Sequence, residues 1–93
     1  MKVKNINGTA GNKCKCGDWK AHWENFSGEK AGLCLEESCL EDADDGAHVQ
    51  KDSSTDRSWY IVPLCHKHNM QAAELELVAT ATLVSANVSK TCG

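Results

Sequence analysis

The sequence predicts a single small α+β domain that needs a cross-link to hold its fold. Apolar and aromatic side chains recur at helical spacing early in the chain, and two β-rich runs joined by a polar link follow in its middle. The third observation is scarcity. Of 93 residues 41% are hydrophobic, but the aromatic complement is three tryptophans, one tyrosine and one phenylalanine. A chain of this length lies near the lower limit for folding on an apolar core alone, and so lean a core leaves only a few kcal/mol of net stability. Six cysteines and four histidines are the material available for a cross-link.

Residues 1–13 are polar, carry Gly8 and Gly11, and read as an edge strand or a loose arm. Asp18 is the expected N-cap of a short helix. Trp19, His22, Trp23 and Phe26 stand at i, i+3, i+4 and i+7, one face of that helix, so His22 points into the core with the aromatic rings. Ser27-Gly28 ends it. Residues 29–45 hold a close cysteine pair and an acidic loop. Ala47-His48-Val49-Gln50 reads as a short strand. Ser58-Trp59-Tyr60-Ile61-Val62 reads as a second, closed by Pro63, and the polar link between them makes a hairpin. Cys65 to about Glu76 is expected to be a helix, with Met70, Ala73 and Leu77 as its apolar stripe and strong helix formers at 72–75. Looser alternation through 80–88 suggests a final strand.

A formal net charge of −3 gives no general attraction to nucleic acid or an anionic membrane. Lys2, Lys4, Lys13, Lys15 and Lys20 make the start of the chain basic. Glu36, Glu37, Glu41, Asp42, Asp44 and Asp45 make the stretch after Cys34 acidic. Both are expected to be solvated surface. No run approaches the roughly 18 apolar residues that span a bilayer. The opening Met1-Lys2-Val3-Lys4-Asn5-Ile6-Asn7-Gly8 has no apolar signal core. A cytoplasmic monomer with reduced thiols is the expectation, and reduced cysteines mixed with histidines favour a metal over disulfides.

Cys34-Leu35-Glu36-Glu37-Ser38-Cys39 places two thiols across a tight turn, and Cys65-His66-Lys67-His68 adds a thiol and an imidazole at a helix start. Zinc takes four soft or borderline ligands in a tetrahedron, and three thiolates with one imidazole form a closed structural set. Thiolates at a helix N-terminus are further favoured by its exposed N–H groups. Cys34, Cys39, Cys65 and His68 are therefore expected to hold one Zn²⁺. His68, three residues past Cys65, returns to the same helical face, whereas His66 points elsewhere. Cys14, Cys16, His22 and Cys92 repeat the same donor count. Three readings stay open for them: a second zinc, a bridge from Cys14 or Cys16 to Cys92, or buried thiols with His22 as a hydrogen-bonded core residue.

Knuckle, hairpin and helix in that order, with Val62-Pro63-Leu64-Cys65 leading into His68-Asn69, resemble a treble-clef zinc finger over about residues 34–77. More narrowly, Gly46-Ala47-His48-Val49 followed by Ile61-Val62-Pro63-Leu64-Cys65-His66-Lys67-His68-Asn69 is similar to zinc-stabilised HNH endonuclease domains. The chain as a whole also resembles short uncharacterised bacterial proteins with a C-x-C-G-x-W-x-x-H opening. The nuclease resemblance implies His48 as general base and Asn69 at a position usually held by a metal-binding histidine. It also marks departures. Only Asp52 and Asp56 lie near the place of the hairpin asparagine, and Ala47 stands where active members place an acidic or imidazole ligand.

The expected function is accordingly a non-enzymatic zinc-binding module for protein or nucleic acid, with no membrane partner. A divergent metal-dependent nuclease is one alternative. A thiol redox or metal-handling protein using Cys14-Lys15-Cys16 is another, since Lys13, Lys15 and Lys20 would lower those thiol pKa values.

Overall fold

The computed structural model describes residues 2–6, 19–52, 55–56, 58–70 and 74–86, and all statements of structure concern these. Cys14, Cys16, Asp18 and Cys92 lie outside them. The described chain forms a five-stranded antiparallel sheet with two helices. In chain order the elements are β1 (Lys2–Asn5), α1 (Trp19–Ser27), β2 (Asp45–Lys51), β3 (Tyr60–Leu64), α2 (His66–Asn69), β4 (Glu74–Glu76) and β5 (Val84–Ser85). Their order across the sheet is β4-β1-β2-β3-β5.

The β2–β3 hairpin is the centre of the fold, pairing Asp45 with Leu64 through to Val49 with Tyr60. Residues directly opposite one another share a face, and successive residues alternate. One face therefore carries Val3, Ala47, Val49, Val62, Leu64 and Leu75, which join Cys34, Cys65 and Leu77 in the main core. The other carries Gly46, His48, Ile61 and Val84, and α1 lies across it. Ile61, Val84 and Trp23 form a second, smaller core there.

The helix over 19–27 is as the aromatic spacing demands. His22 and Trp23 are buried, and Gly28 ends the helix at φ 74°, where a side chain would be strained. Trp23 Nε1 donates to the Thr82 carbonyl at 2.9 Å, which ties α1 to the segment before β5. Phe26 differs from expectation: it is 45% exposed and covers His22 from outside, their rings 5.1 Å apart.

Three sequence expectations are corrected. Residues 2–5 are an inner strand, flanked by β2 and β4, because alternation buries Val3 against both. Pro63 lies inside β3 instead of closing it. Its carbonyl accepts from Leu35 N at 3.0 Å, so its backbone edge faces away from β2 and the missing N–H costs the β2–β3 ladder nothing. The helix expected to run to about Glu76 is a single turn, His66–Asn69, leaving Met70 67% exposed. Glu74–Glu76 instead pair with β1, with Leu75 buried between exposed Glu74 and half-buried Glu76. Helix propensity of a few tenths of a kcal/mol per residue loses to the need of β1 for a partner. Of the expected final strand, Val84–Ser85 pair with β3, and residues beyond 86 lie outside the description.

Candidate metal centre

The cysteine pair at 34–39 sits on a small antiparallel loop. Ala43 N donates to Gly32 O at 2.8 Å, Cys34 N to Glu41 O at 2.9 Å, and Cys39 N closes the tip on Glu36 O at 3.1 Å. This loop is held on both flanks. Leu35 N donates to Pro63 O, Leu35 O accepts from Val78 N at 2.9 Å, and Glu37 N donates to Glu76 O at 2.9 Å. Cys65 ends the run of buried β3 and is the N-cap of α2, with extended backbone at φ −68° and ψ 160°. Asn69 N donates to its carbonyl at 2.9 Å, and the turn so formed brings His68 back over Cys65.

The result is a cluster of four donor atoms from Cys34, Cys39, Cys65 and His68, all within 4.8 Å of one another. Cys65 Sγ is 3.2 Å and Cys34 Sγ 3.6 Å from His68 Nδ1, and Cys39 Sγ lies 3.9 Å from Cys65 Sγ. A tetrahedral zinc ion with bonds of about 2.3 Å to sulfur and about 2.0 Å to nitrogen spaces its ligand atoms roughly 3.5–3.8 Å apart. The donor set and its spacing therefore suit that ion. None of the three thiols is in a disulfide. Burial pushes the Cys34 thiol up to about 11, so a bound ion must displace a proton there.

Residues beyond the four donors complete the site. His68 Nε2 is 3.2 Å from Glu36 Oε2, and its carbonyl accepts from Asn5 Nδ2 at 2.7 Å, which anchors α2 to β1. Asp44 accepts from His66 N at 3.1 Å, supplying the helix-start acceptor that the Cys65 side chain does not. Asp45 accepts from Asn69 Nδ2 at 3.1 Å and faces His66 Nδ1 at 3.2 Å. His66 is thus turned away from the cluster, and the acidic run is only partly solvated surface: Glu36, Asp44 and Asp45 are structural partners of α2. Hydrogen bonds from Ser38 hold the Glu36 carboxyl below its ordinary value. The spacing of the thiols gave no warning of Glu36; the signal available was a carboxylate two residues from each of Cys34 and a serine.

The other sequence candidates lie apart. His22 is fully buried, its Nε2 2.9 Å from the Ser85 carbonyl, an acceptor that requires the proton on that nitrogen. Its companions Cys14, Cys16 and Cys92 are outside the described residues. His48 is buried on the α1 face of the sheet, opposite the cluster, with Trp19 edge-on at 4.6 Å and Trp59 at 6.1 Å. Burial, then the neighbouring His22, lowers its pKa and keeps it neutral. Asn69 is engaged with Asp45, so the structure does not bring it together with His48. Among the described residues no helix is long and apolar enough to cross a membrane. No protein-family model matches this chain, and neither a curated protein nor a solved structure matches it.

Proposed function

We propose that this chain is a non-enzymatic binding module built on one structural zinc ion, with a treble-clef-like core of knuckle, hairpin and helix over about residues 34–77. The observation that carries the reading is the closed donor set: four protein atoms within 4.8 Å leave no position for a substrate or water. The hydrolytic alternative lacks comparable support. Among the described residues no metal-holding group includes His48, whose ring packs against Trp19 and Trp59.

Protein is favoured over nucleic acid as the partner. The groove of 620 Å³ between the knuckle and α2 has three carboxylates, Glu41, Asp42 and Asp44, against one lysine, Lys67, and its Leu40 is 86% exposed. Carboxylates there oppose a phosphate backbone, whose contacts supply most of the affinity for nucleic acid. They complement a basic protein segment carrying an apolar side chain. Fluorescence anisotropy of the zinc-loaded protein with a labelled Lys/Leu peptide and with duplex DNA tests this. Salt-sensitive peptide binding, weakened by Glu41→Lys and Asp42→Lys at unchanged zinc content, is expected. Plasmid cleavage in Mg²⁺ or Mn²⁺ that disappears in folded His48→Ala would refute the non-enzymatic reading.

A further inference from the structure

We infer that Glu36 is a positioning residue of the metal centre, its carboxylate fixing His68 in the tautomer and ring orientation that present Nδ1 to the ion. The inference rests on the zinc reading above. An imidazole ligates through one nitrogen while the other carries a proton, and the partner of that second nitrogen decides which is which. Here Nδ1 faces the Cys34 and Cys65 sulfurs, and Nε2 lies 3.2 Å from Glu36 Oε2.

Both side chains are largely enclosed, 15% exposed for His68 and 13% for Glu36, so this is not a loose surface pair. Glu36 is itself held from three directions. Its carboxylate accepts from Ser38 N at 2.7 Å and from the Ser38 hydroxyl, whose Oγ is 2.6 Å from Oε1. Its backbone carbonyl accepts from Cys39 N in the knuckle turn, and its backbone bridges to Leu77. The same residue therefore shapes the turn that carries Cys39 and orients the imidazole that completes the donor set. Ser38 donates to the Glu36 carboxylate, and that carboxylate is in turn the ion-pair partner of His68 Nε2 on the side of the ring away from the cluster. A carboxylate accepting Nε2–H also makes Nδ1 a stronger donor to the metal.

Competition with a chromogenic zinc chelator, combined with ¹⁵N NMR of the His68 ring, tests the inference on the full chain. Glu36→Ala is expected to weaken zinc binding roughly 10–100-fold and to shift the His68 ring signals away from an Nε2–H, Nδ1-bound pattern. Glu36→Gln, whose amide oxygen still accepts and whose backbone can keep the turn, should lose less and retain that pattern. Glu37→Ala, next in sequence and exposed, should match the wild type. A wild type that binds one zinc while both Glu36 variants bind it equally well, with ring signals unmoved, overturns the inference alone. A wild type that binds no zinc overturns the zinc reading and the inference with it.

Discussion

Alanine at Gly46 would drive a methyl group into the backbone of α1. An added Cβ would sit 2.5 Å from the Trp19 carbonyl oxygen, and closer still to the Trp19 carbonyl carbon and the Lys20 nitrogen. These are main-chain atoms, so no side-chain rotation relieves the overlap. Reaching an ordinary contact of about 3.5 Å requires the first turn of the helix to move by roughly 1 Å. That movement strains the bonds from His22 to Ser85 O and from Trp23 to Thr82 O, each 2.9 Å long. Overpacking costs about 1–3 kcal/mol, and weakening two hydrogen bonds adds roughly 0.5–1.5 kcal/mol each at most. The combined loss is about 2–6 kcal/mol, a large part of the total stability of a domain this size. Urea unfolding of the zinc-loaded protein, followed by tryptophan fluorescence, should show a lower midpoint with the slope unchanged. Zinc stoichiometry should stay the same, because Gly46 lies on the sheet face opposite the cluster. A loss below about 0.5 kcal/mol would refute the close seating of α1 on β2.

Cys65→Ser removes the sulfur that lies nearest the imidazole, and should leave the chain largely unfolded by NMR dispersion, since zinc supplies roughly 10–16 kcal/mol in small domains of this kind. Lys67→Ala, an exposed position two residues on, should change stability by less than about 0.5 kcal/mol. Zinc affinity measured against pH should fall on acidification with release of a proton on binding, because burial raises the Cys34 thiol and the ion must displace its proton. His48 adds a second acid dependence. Its folded pKa is depressed, so its contribution to stability is present above the unfolded value of about 6.5 and is lost as pH falls through the folded one. His48→Leu should flatten the stability-versus-pH curve on that acid side; an unchanged curve would show that His48 titrates freely.

The sequence made α1 legible because four aromatic and imidazole side chains at helical spacing have little other use. It also singled out Cys34, Cys39, Cys65 and His68, since close donor pairs announce themselves by local spacing. What it hid was decided at long range. The Ala72-Ala73-Glu74-Leu75 run is good helix by composition, yet Glu74–Glu76 form a strand because Val3 lies far away in sequence with an edge to cover. Pro63 reads as a strand end until Leu35 is known to pair with its outer edge. Glu36, Asp44 and Asp45 look like solvent-facing charge, and only the return of α2 against the knuckle turns them into partners of His68, His66 and Asn69.

Native mass spectrometry of the purified chain, before and after a strong chelator, weighs the ion directly. One zinc per folded chain from the Cys34, Cys39, Cys65 and His68 set, with its removal broadening the charge states to those of an unfolded polypeptide, is the predicted result; a second zinc would report the Cys14, Cys16, His22 and Cys92 set. A metal-free chain that keeps narrow, folded charge states with its thiols reduced would contradict a fold completed by its ion.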